Sequence, residues 1–246
     1  RVSMRRRCSG PSERATLLAE MAKRRSAAPR RSKPVAAPGA AFVGADTIAA
    51  AALRPYRRLL SILPDSQRTS LERRTGASLG RAGLSWPAVA ERPDLRVAHA
   101  ACVEMIDTAV AMTGTEALGL YAAEAWREGD FDLCECLVRC AATVGDAIEV
   151  SRRYLPLLVD ADLEVIRDGR WVVGRLCFAP DLRVPQALID QVMATMRLLT
   201  LRYVQDARTL RIELHLRQTR PSYAAEYRRI LGVDPAVREA VDGVGM

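Results

Sequence analysis

The hydrophobic periodicity of the chain changes near residue 158, and this change constrains the fold more than any other feature. Before it, apolar side chains recur every three or four residues, which is typical of amphipathic helices. After it, residues 161–166 and 170–178 alternate as strands do, around an Asp168-Gly169 pair that favours a two-residue hairpin turn. This order predicts an α+β fold in which an N-terminal helical layer packs on a small antiparallel sheet.

The later segments extend this layout beyond the hairpin. Residues 187–207 predict a long helix, and residues 210–216 alternate cleanly enough to predict a further strand. The long helix therefore lies between the hairpin and that strand. Residues 223–231 predict a short helix that Gly232 ends, because glycine readily adopts the left-handed conformation found after many helices.

Helices are also predicted over most of the N-terminal half. Asp46 is a suitable N-cap for the first of them, and a shorter helix covers residues 65–74. Gly76, Gly80 and Gly83 predict a loop after that helix. Further helices are expected at residues 86–91, 95–112 and 117–126.

Residues 129–158 are predicted to form two short helices joined by a turn. Asp130 is a candidate N-cap for the first helix and Thr143 for the second. Thr143 and Asp146 have the spacing of a capping box, in which each side chain accepts a hydrogen bond from the other residue's backbone amide. The apolar residues of the second helix fall near one face, so we expect this face in the core.

The net charge of +8 on the 246-residue chain is concentrated in its first part. Residues 1–34 carry 11 Lys or Arg and two Glu, which gives this segment +9 and leaves −1 for the remainder. Residues 1–45 are therefore predicted to be a disordered basic tail, and residues 46–246 to be the folded domain. Because the domain is nearly neutral, the charge does not indicate a nucleic-acid-binding surface on it.

Three interpretations of the tail are open. It binds phosphate or acidic partners, it is an organelle transit peptide, or it partly precedes a start at Met21. The last is favoured for residues 1–20, and simple disorder for residues 21–45. No apolar run approaches the roughly 20 residues of a membrane helix, and no hydrophobic signal segment follows the basic start. We therefore expect no membrane association and a cytoplasmic location.

A chain of this size and hydrophobic content does not need its six cysteines as a disulfide framework. Cys136 and Cys140 lie four residues apart on a predicted helix, where they could share a metal ion, while Cys134 points elsewhere. No His stands at a ligand spacing, so the favoured interpretation is small packing residues in the core. The alternative is a stand-alone sensor or interaction protein that responds to metal or to thiol oxidation through these three cysteines.

The sequence contains no arrangement typical of an enzyme. It has no Walker, GxSxG, HExxH or dinucleotide-binding motif. The two histidines, His99 and His215, are expected in structural or surface roles. We therefore predict no catalytic residue, no metal site and no cofactor.

Residues 129–158 combine GDF, a short apolar helix, T-x-G-(D/E)-A and a Tyr-Leu pair, and in this order they resemble the N-terminal domain of AraC-type transcription regulators. Residues 113–120, TGTEALGL, look like the family's stretch before GDF. The hairpin and long helix follow in the family's order, and residues 225–232, AEYRRILG, are similar to the family's E-Y-R-R-L-F-G. The resemblance spans about residues 50–246 and rests on the order and spacing of these motifs together.

This resemblance implies a domain that senses a small-molecule effector and forms a homodimer. In the family, a separate C-terminal domain with two helix-turn-helix units binds DNA. No recognition helix is found after Gly232, so no residue here is expected to contact DNA, and the chain is expected to be a fragment truncated before that domain. The effector itself is not identified by the sequence.

The effector is expected between the helical layer and the small sheet, where apolar pockets commonly form. The candidates to line the pocket are three aromatic side chains and one histidine: Tyr154, Trp171, Phe178 and His215. Packing in the core is the alternative role for each of them.

Overall fold

The computed structural model describes residues 47–92, 94–168, 171–179, 181–204, 213–216, 221–237 and 243–245. The predicted tail, residues 1–45, lies outside the described residues, so its disorder stays a prediction. The α+β class is confirmed, because a mainly helical N-terminal half precedes a sheet built from the later strands.

The N-terminal half begins with a strand and continues as helices. Strand β1, Thr47–Ala49, pairs antiparallel with β2, Arg96–Ala98, and places Ile48 opposite Val97. A 3₁₀ helix, Ala50–Leu53, follows β1 directly. The α-helices of this half are α1 Arg54–Ser61, α2 Asp65–Arg81, α3 Trp86–Glu91, α4 His99–Thr113, α5 Leu118–Glu124, α6 Asp132–Arg139 and α7 Val144–Tyr154.

The two strands replace predicted helical turns. The helix expected from Asp46 is a strand at Thr47–Ala49, and α1 begins only at Arg54. The helix expected from residue 95 starts instead at His99, because β2 occupies the residues before it. Pairing between segments distant in sequence satisfies backbone groups here, and it overrides the local helix signals.

The loop predicted at Gly76 and Gly80 is helical, because α2 continues through both residues to Arg81. A Cβ built at Gly76 would lie 3.6 Å from Trp86 Cδ1, in ordinary van der Waals contact. Gly83, with φ +73°, follows the end of this helix and agrees with the predicted break.

The caps predicted around residues 129–158 have different outcomes. Thr143 Oγ1 accepts from the Asp146 amide at 3.1 Å, and Asp146 Oδ2 accepts from the Thr143 amide at 3.2 Å, which confirms the capping box. Asp130 does not cap α6, since Phe131 occupies the N-cap position without a side-chain hydrogen bond. The Asp130 carboxylate binds Arg58 of α1 instead.

The strands of the second half are β3 Asp162–Asp168, β4 Trp171–Cys177, β5 Glu213–Leu216, β6 Ala236–Val237 and β7 Gly243–Gly245. They form one five-stranded sheet in the order β3-β4-β7-β5-β6. The hairpin of β3 and β4 pairs Asp168 with Trp171, while the turn residues 169 and 170 lie outside the described residues. An antiparallel sheet was predicted, but one of its strand pairs, β5 with β6, is parallel.

The chain segment at residues 243–245 has a role that its glycine-rich sequence does not suggest. Gly243–Gly245 forms β7, which lies between β4 and β5 and pairs antiparallel with both. Val244 stands opposite Gly174 on one side and Leu214 on the other. The hydrophobic pattern did not predict this strand, because three residues are too few to show an alternation.

Two helices accompany the sheet. The long helix α8, Gln186–Tyr203, lies between β4 and β5 along the chain, as predicted, and the short helix α9, Ala224–Leu231, ends at Gly232 with φ +70°. Helix α8 packs closely along α5 and carries many buried side chains, so it is the centre of the helical core. Among the described residues, no helix is both long enough and apolar enough to cross a membrane.

Candidate functional site

A cavity of about 60 Å³, partly open to solvent, lies among the helices of the core. The 3₁₀ helix, α6, α7 and α8 all contribute to its wall. Since one water molecule needs roughly 10–15 Å³ of such space, the cavity has room for a group larger than a single water. Most of the wall is apolar and is provided by Phe131, Val138, Val150, Leu155, Val192, Met196 and Leu199.

The helical periodicity of α7 and α8 explains how the sequence builds this wall. Val150 and Tyr154 are four residues apart on α7, and Val192 and Met196 have the same spacing on α8. Residues at this spacing share one face of a helix, so each helix presents an apolar stripe to the cavity.

One side of the cavity contains a buried carboxylate with three donors. Glu135 of α6 is 2% exposed, although its position three residues after Asp132 near the start of a helix predicts a solvated side chain. Its Oε2 accepts from Trp126 Nε1 at 3.2 Å and from the Gly129 amide at 3.0 Å. Its Oε1 accepts from the Tyr203 hydroxyl at 3.1 Å. The carboxylate is therefore fixed by the protein and has its hydrogen-bonding capacity largely filled.

The wall also contains two polar groups that have no hydrogen-bond partner among the described residues. Gln191 and Thr195, one turn apart on α8, are 2% and 7% exposed. Gln191 Nε2 donates to the Ala52 carbonyl at 2.7 Å, but Gln191 Oε1 and Thr195 Oγ1 have no hydrogen-bond partner within the described part of the chain. A buried polar atom left without a partner costs about 1–3 kcal/mol, so these two atoms identify where a ligand group would be stabilised.

The cysteines occupy different environments. Cys134 lines the cavity and donates from Sγ to the Tyr154 carbonyl at 3.4 Å. Burial, assisted by the nearby charge of Asp132, raises the pKa of the Cys134 thiol to about 11. The thiol is therefore protonated at neutral pH and is a weak nucleophile.

Cys136 and Cys140 are exposed, so the prediction that these residues pack in the core is wrong for both of them. The residues of α6 that line the cavity are Cys134, Glu135 and Val138, and neither Cys136 nor Cys140 is among the lining residues. Among the residues that the structure describes, no group of three His, Cys, Asp or Glu side chains is placed to hold a metal ion.

The four predicted pocket residues are not brought together at the cavity. Tyr154 lines it, whereas Phe178 is partly buried against the core elsewhere. The side chains of Trp171 and His215 lie outside the described residues, although their backbones belong to β4 and β5. The cavity lies among helices rather than between the helical layer and the sheet. The roles of these four residues as ligand contacts stay predictions.

Three polar residues of the cavity, Glu135, Gln191 and Thr195, were not predicted from the sequence as site residues. A signal was present for the last two, because both are polar and lie next to apolar residues that mark the buried face of α8. Periodicity alone could not show that their polar atoms lack partners, since this depends on which helices surround them.

Residues 73–244 match the sequence model of the arabinose-binding domain of AraC transcription regulators, N-terminal. The match covers well over half of the chain, so the protein belongs to this family of regulatory sensor domains. The resemblance found in residues 129–158 is thereby confirmed. No curated protein matches the chain in sequence.

Proposed function

We propose that this chain senses a small-molecule effector on behalf of an AraC-type transcription regulator, and that the effector binds in the cavity formed with α6, α7 and α8. The observation that carries the proposal is the apolar cavity with two unpaired, buried polar atoms on its wall. Such a combination of apolar lining and few polar groups is typical of ligand sites.

The mechanism is a shift between two arrangements of the helices that the effector contacts. Helices α6, α7 and α8 all line the cavity, so a bound molecule contacts separate elements. A ligand favours whichever arrangement it binds more tightly, and it shifts the population by its difference in affinity.

Helix α8 connects the cavity to the C-terminal part of the domain. On α8, Asp190 accepts hydrogen bonds from the hydroxyls of Tyr223 and Tyr227 at 2.7 and 2.6 Å. Arg197 Nε donates to the Leu231 carbonyl at 3.2 Å. Because Gln191 and Thr195 neighbour these residues on the same helix, a displacement of α8 would be transmitted to α9.

The rest of the functional assignment belongs to the same proposal. The domain, residues 46–246, acts as a homodimer in the cytoplasm and controls transcription through a separate DNA-binding domain. It has no catalytic activity of its own. Sedimentation of the purified chain at micromolar concentration tests the homodimer, and a monomer under these conditions contradicts it.

A thermal-shift screen of small acids, fatty acids, amino acids and alcohols tests effector binding. Compounds that bind the native state should raise the unfolding temperature. The same compounds should have no effect on Val192→Phe, in which a larger side chain fills the cavity. Ile62→Phe is the matched control, because Ile62 is 69% exposed and its replacement leaves the cavity unchanged. Equal shifts in both variants would place binding elsewhere and contradict the proposal.

A further inference from the structure

The two unpaired atoms on α8 have complementary hydrogen-bonding properties. Gln191 Oε1 can only accept a hydrogen bond, whereas the Thr195 hydroxyl can donate and accept. The two side chains are four residues apart and therefore lie side by side on one face of the helix. A single hydroxyl group can donate to the first and accept from the second at once, because it carries one donor and two lone pairs.

We propose that the cavity binds a neutral, mainly apolar molecule with one hydroxyl group, an alcohol or a phenol, whose hydroxyl bridges Gln191 Oε1 and Thr195 Oγ1. This inference rests on the proposed effector-sensing function and adds the chemical class of the effector. The apolar body of the molecule lies against Val150, Val192 and Leu199 and extends toward the open side of the cavity.

A sugar fits this wall poorly, despite the arabinose named in the family description. A pentose brings several hydroxyl groups, whereas the wall is mostly apolar. Beside the two unpaired atoms, its polar groups are the hydroxyls of Ser151 and Tyr154, the Cys134 thiol and the Glu135 carboxylate, which already accepts three hydrogen bonds. Each hydroxyl group that meets the apolar part of the wall would be left without a hydrogen bond, at a cost of about 1–3 kcal/mol.

A charged ligand fits poorly too. The described residues that line the cavity include no Lys, Arg or His to pair with a carboxylate, and Glu135 and Gln191 Oε1 would repel one. An ammonium group brings three donors and a charge that must be desolvated. The Glu135 carboxylate already accepts from three donors, so it is poorly placed to compensate that cost.

Calorimetric titration of the full chain with four small probes tests the ligand class. The probes are 4-methylphenol, 1,4-dimethylbenzene, 4-methylbenzoate and L-arabinose. The second replaces the hydroxyl of the first by a methyl group at nearly constant shape, so the pair isolates the hydroxyl. We expect 4-methylphenol to bind at least fivefold more tightly than 1,4-dimethylbenzene, and the other two more weakly than both.

Two variants of Thr195 assign this preference to the cavity. Thr195→Val keeps the shape and removes the hydroxyl, so it should abolish most of the preference for 4-methylphenol while 1,4-dimethylbenzene binds as well as before or better. Thr195→Ser keeps the hydroxyl and should retain the preference. An undiminished preference in Thr195→Val overturns the proposed bridge.

The outcomes separate this inference from the proposed function. Tightest binding by 4-methylbenzoate or L-arabinose, lost in Val192→Phe, overturns the ligand class while effector binding in the cavity stands. Absence of binding by every probe overturns the ligand class. If no compound in the wider thermal-shift screen raises the unfolding temperature either, the proposed effector-sensing function is also wrong.

Discussion

The guanidinium of Arg58 holds the buried carboxylate of Asp130 in a two-point contact, with Nη1 2.5 Å from Oδ2 and Nη2 2.7 Å from Oδ1. Asp130 Oδ2 also accepts from the Arg127 amide at 2.7 Å. The Asp130 side chain is 6% exposed and that of Arg58 24%. This ion pair connects α1 to the turn before α6. It therefore fixes the start of α6, a helix that lines the cavity.

Asp130→Asn should lower the free energy of unfolding by about 2 kcal/mol, since it leaves a half-buried guanidinium without its charged partner. Glu128→Gln, which breaks the exposed pair between Glu128 and Arg139, is the control and should cost less than about 1 kcal/mol. Urea unfolding of both variants measures the difference. Equal losses would show that the buried position of Asp130 adds nothing to the strength of its ion pair.

The closest approach between α5 and α8 depends on a glycine. A Cβ at Gly119 would stand 1.9 Å from the backbone oxygen of Ala187, a distance that no packing adjustment of a side chain can relieve. Gly119→Ala should therefore lower the free energy of unfolding by about 3 kcal/mol or more, because the two helices must separate. Solubility and urea unfolding report this loss.

Gly80→Ala in α2 is the matched control for Gly119→Ala. Nothing lies within 4 Å of a Cβ at Gly80, and the residue is exposed on a helix. The substitution should be neutral or stabilising by up to about 1 kcal/mol, because alanine has the better helix propensity. If both variants have the same free energy of unfolding, the close contact of α5 and α8 does not restrict residue 119 to glycine.

Thr195→Val should raise the free energy of unfolding of the ligand-free chain by about 1 kcal/mol, since it removes a buried hydroxyl that has no partner among the described residues. Thr75→Val is the comparison, because the Thr75 hydroxyl is also buried but has hydrogen-bond partners. Thr75 Oγ1 donates to the Leu71 carbonyl at 2.7 Å and accepts from Trp86 Nε1 at 3.1 Å. Thr75→Val should lower the free energy of unfolding by about 1–2 kcal/mol, because the indole N–H of Trp86 is left unpaired. A loss of stability in Thr195→Val would mean that its hydroxyl is already satisfied.

Stability should fall in alkaline solution partly because of Cys102 in α4. Burial raises the pKa of this thiol to about 12, against the lowering effect of Arg96. Between its ordinary value near 8.5 and this raised value, the folded state keeps a proton that the unfolded state has lost. The free energy of unfolding is therefore independent of this thiol below about pH 8 and decreases above it by up to about 1.4 kcal/mol per pH unit.

Cys102→Ala should remove this contribution. Its free energy of unfolding should run parallel to that of the wild type between pH 6 and 8 and fall less steeply between pH 9 and 11. Urea unfolding across both ranges measures the two slopes. Parallel curves over the whole range would show that the folded protein releases the Cys102 proton as readily as the unfolded chain.

Structural features that depend on residues close together in the chain were predicted from the sequence with good accuracy. The capping box of Thr143 and Asp146 and the helix stop at Gly232 each involve atoms a few residues apart. The same holds for the hairpin pairing of β3 with β4 and for the long helix α8, whose periodicity extends over several turns. Local hydrogen bonds and side-chain periodicity are sufficient to specify such elements.

Predictions failed where the decisive partner lies far along the chain. Asp130 has the sequence of an N-cap, but Arg58, 72 residues away, binds its carboxylate. Gly76 and Gly80 have the composition of a loop, but packing against α3 and α4 keeps α2 helical. Glu135 has the spacing of a solvated residue, but Trp126 and Tyr203 enclose it.

The sequence by itself determined the order of the hairpin, α8, β5 and α9, the family of the domain and the capping box of Thr143 and Asp146. Only the tertiary structure decided that β7 lies in the middle of the sheet, and that Gln191 and Thr195 face a cavity with unpaired atoms. The reason is physical: a periodic pattern shows which face of a helix is buried. Whether a polar atom on that face finds a partner depends on elements that the chain brings together only when it folds.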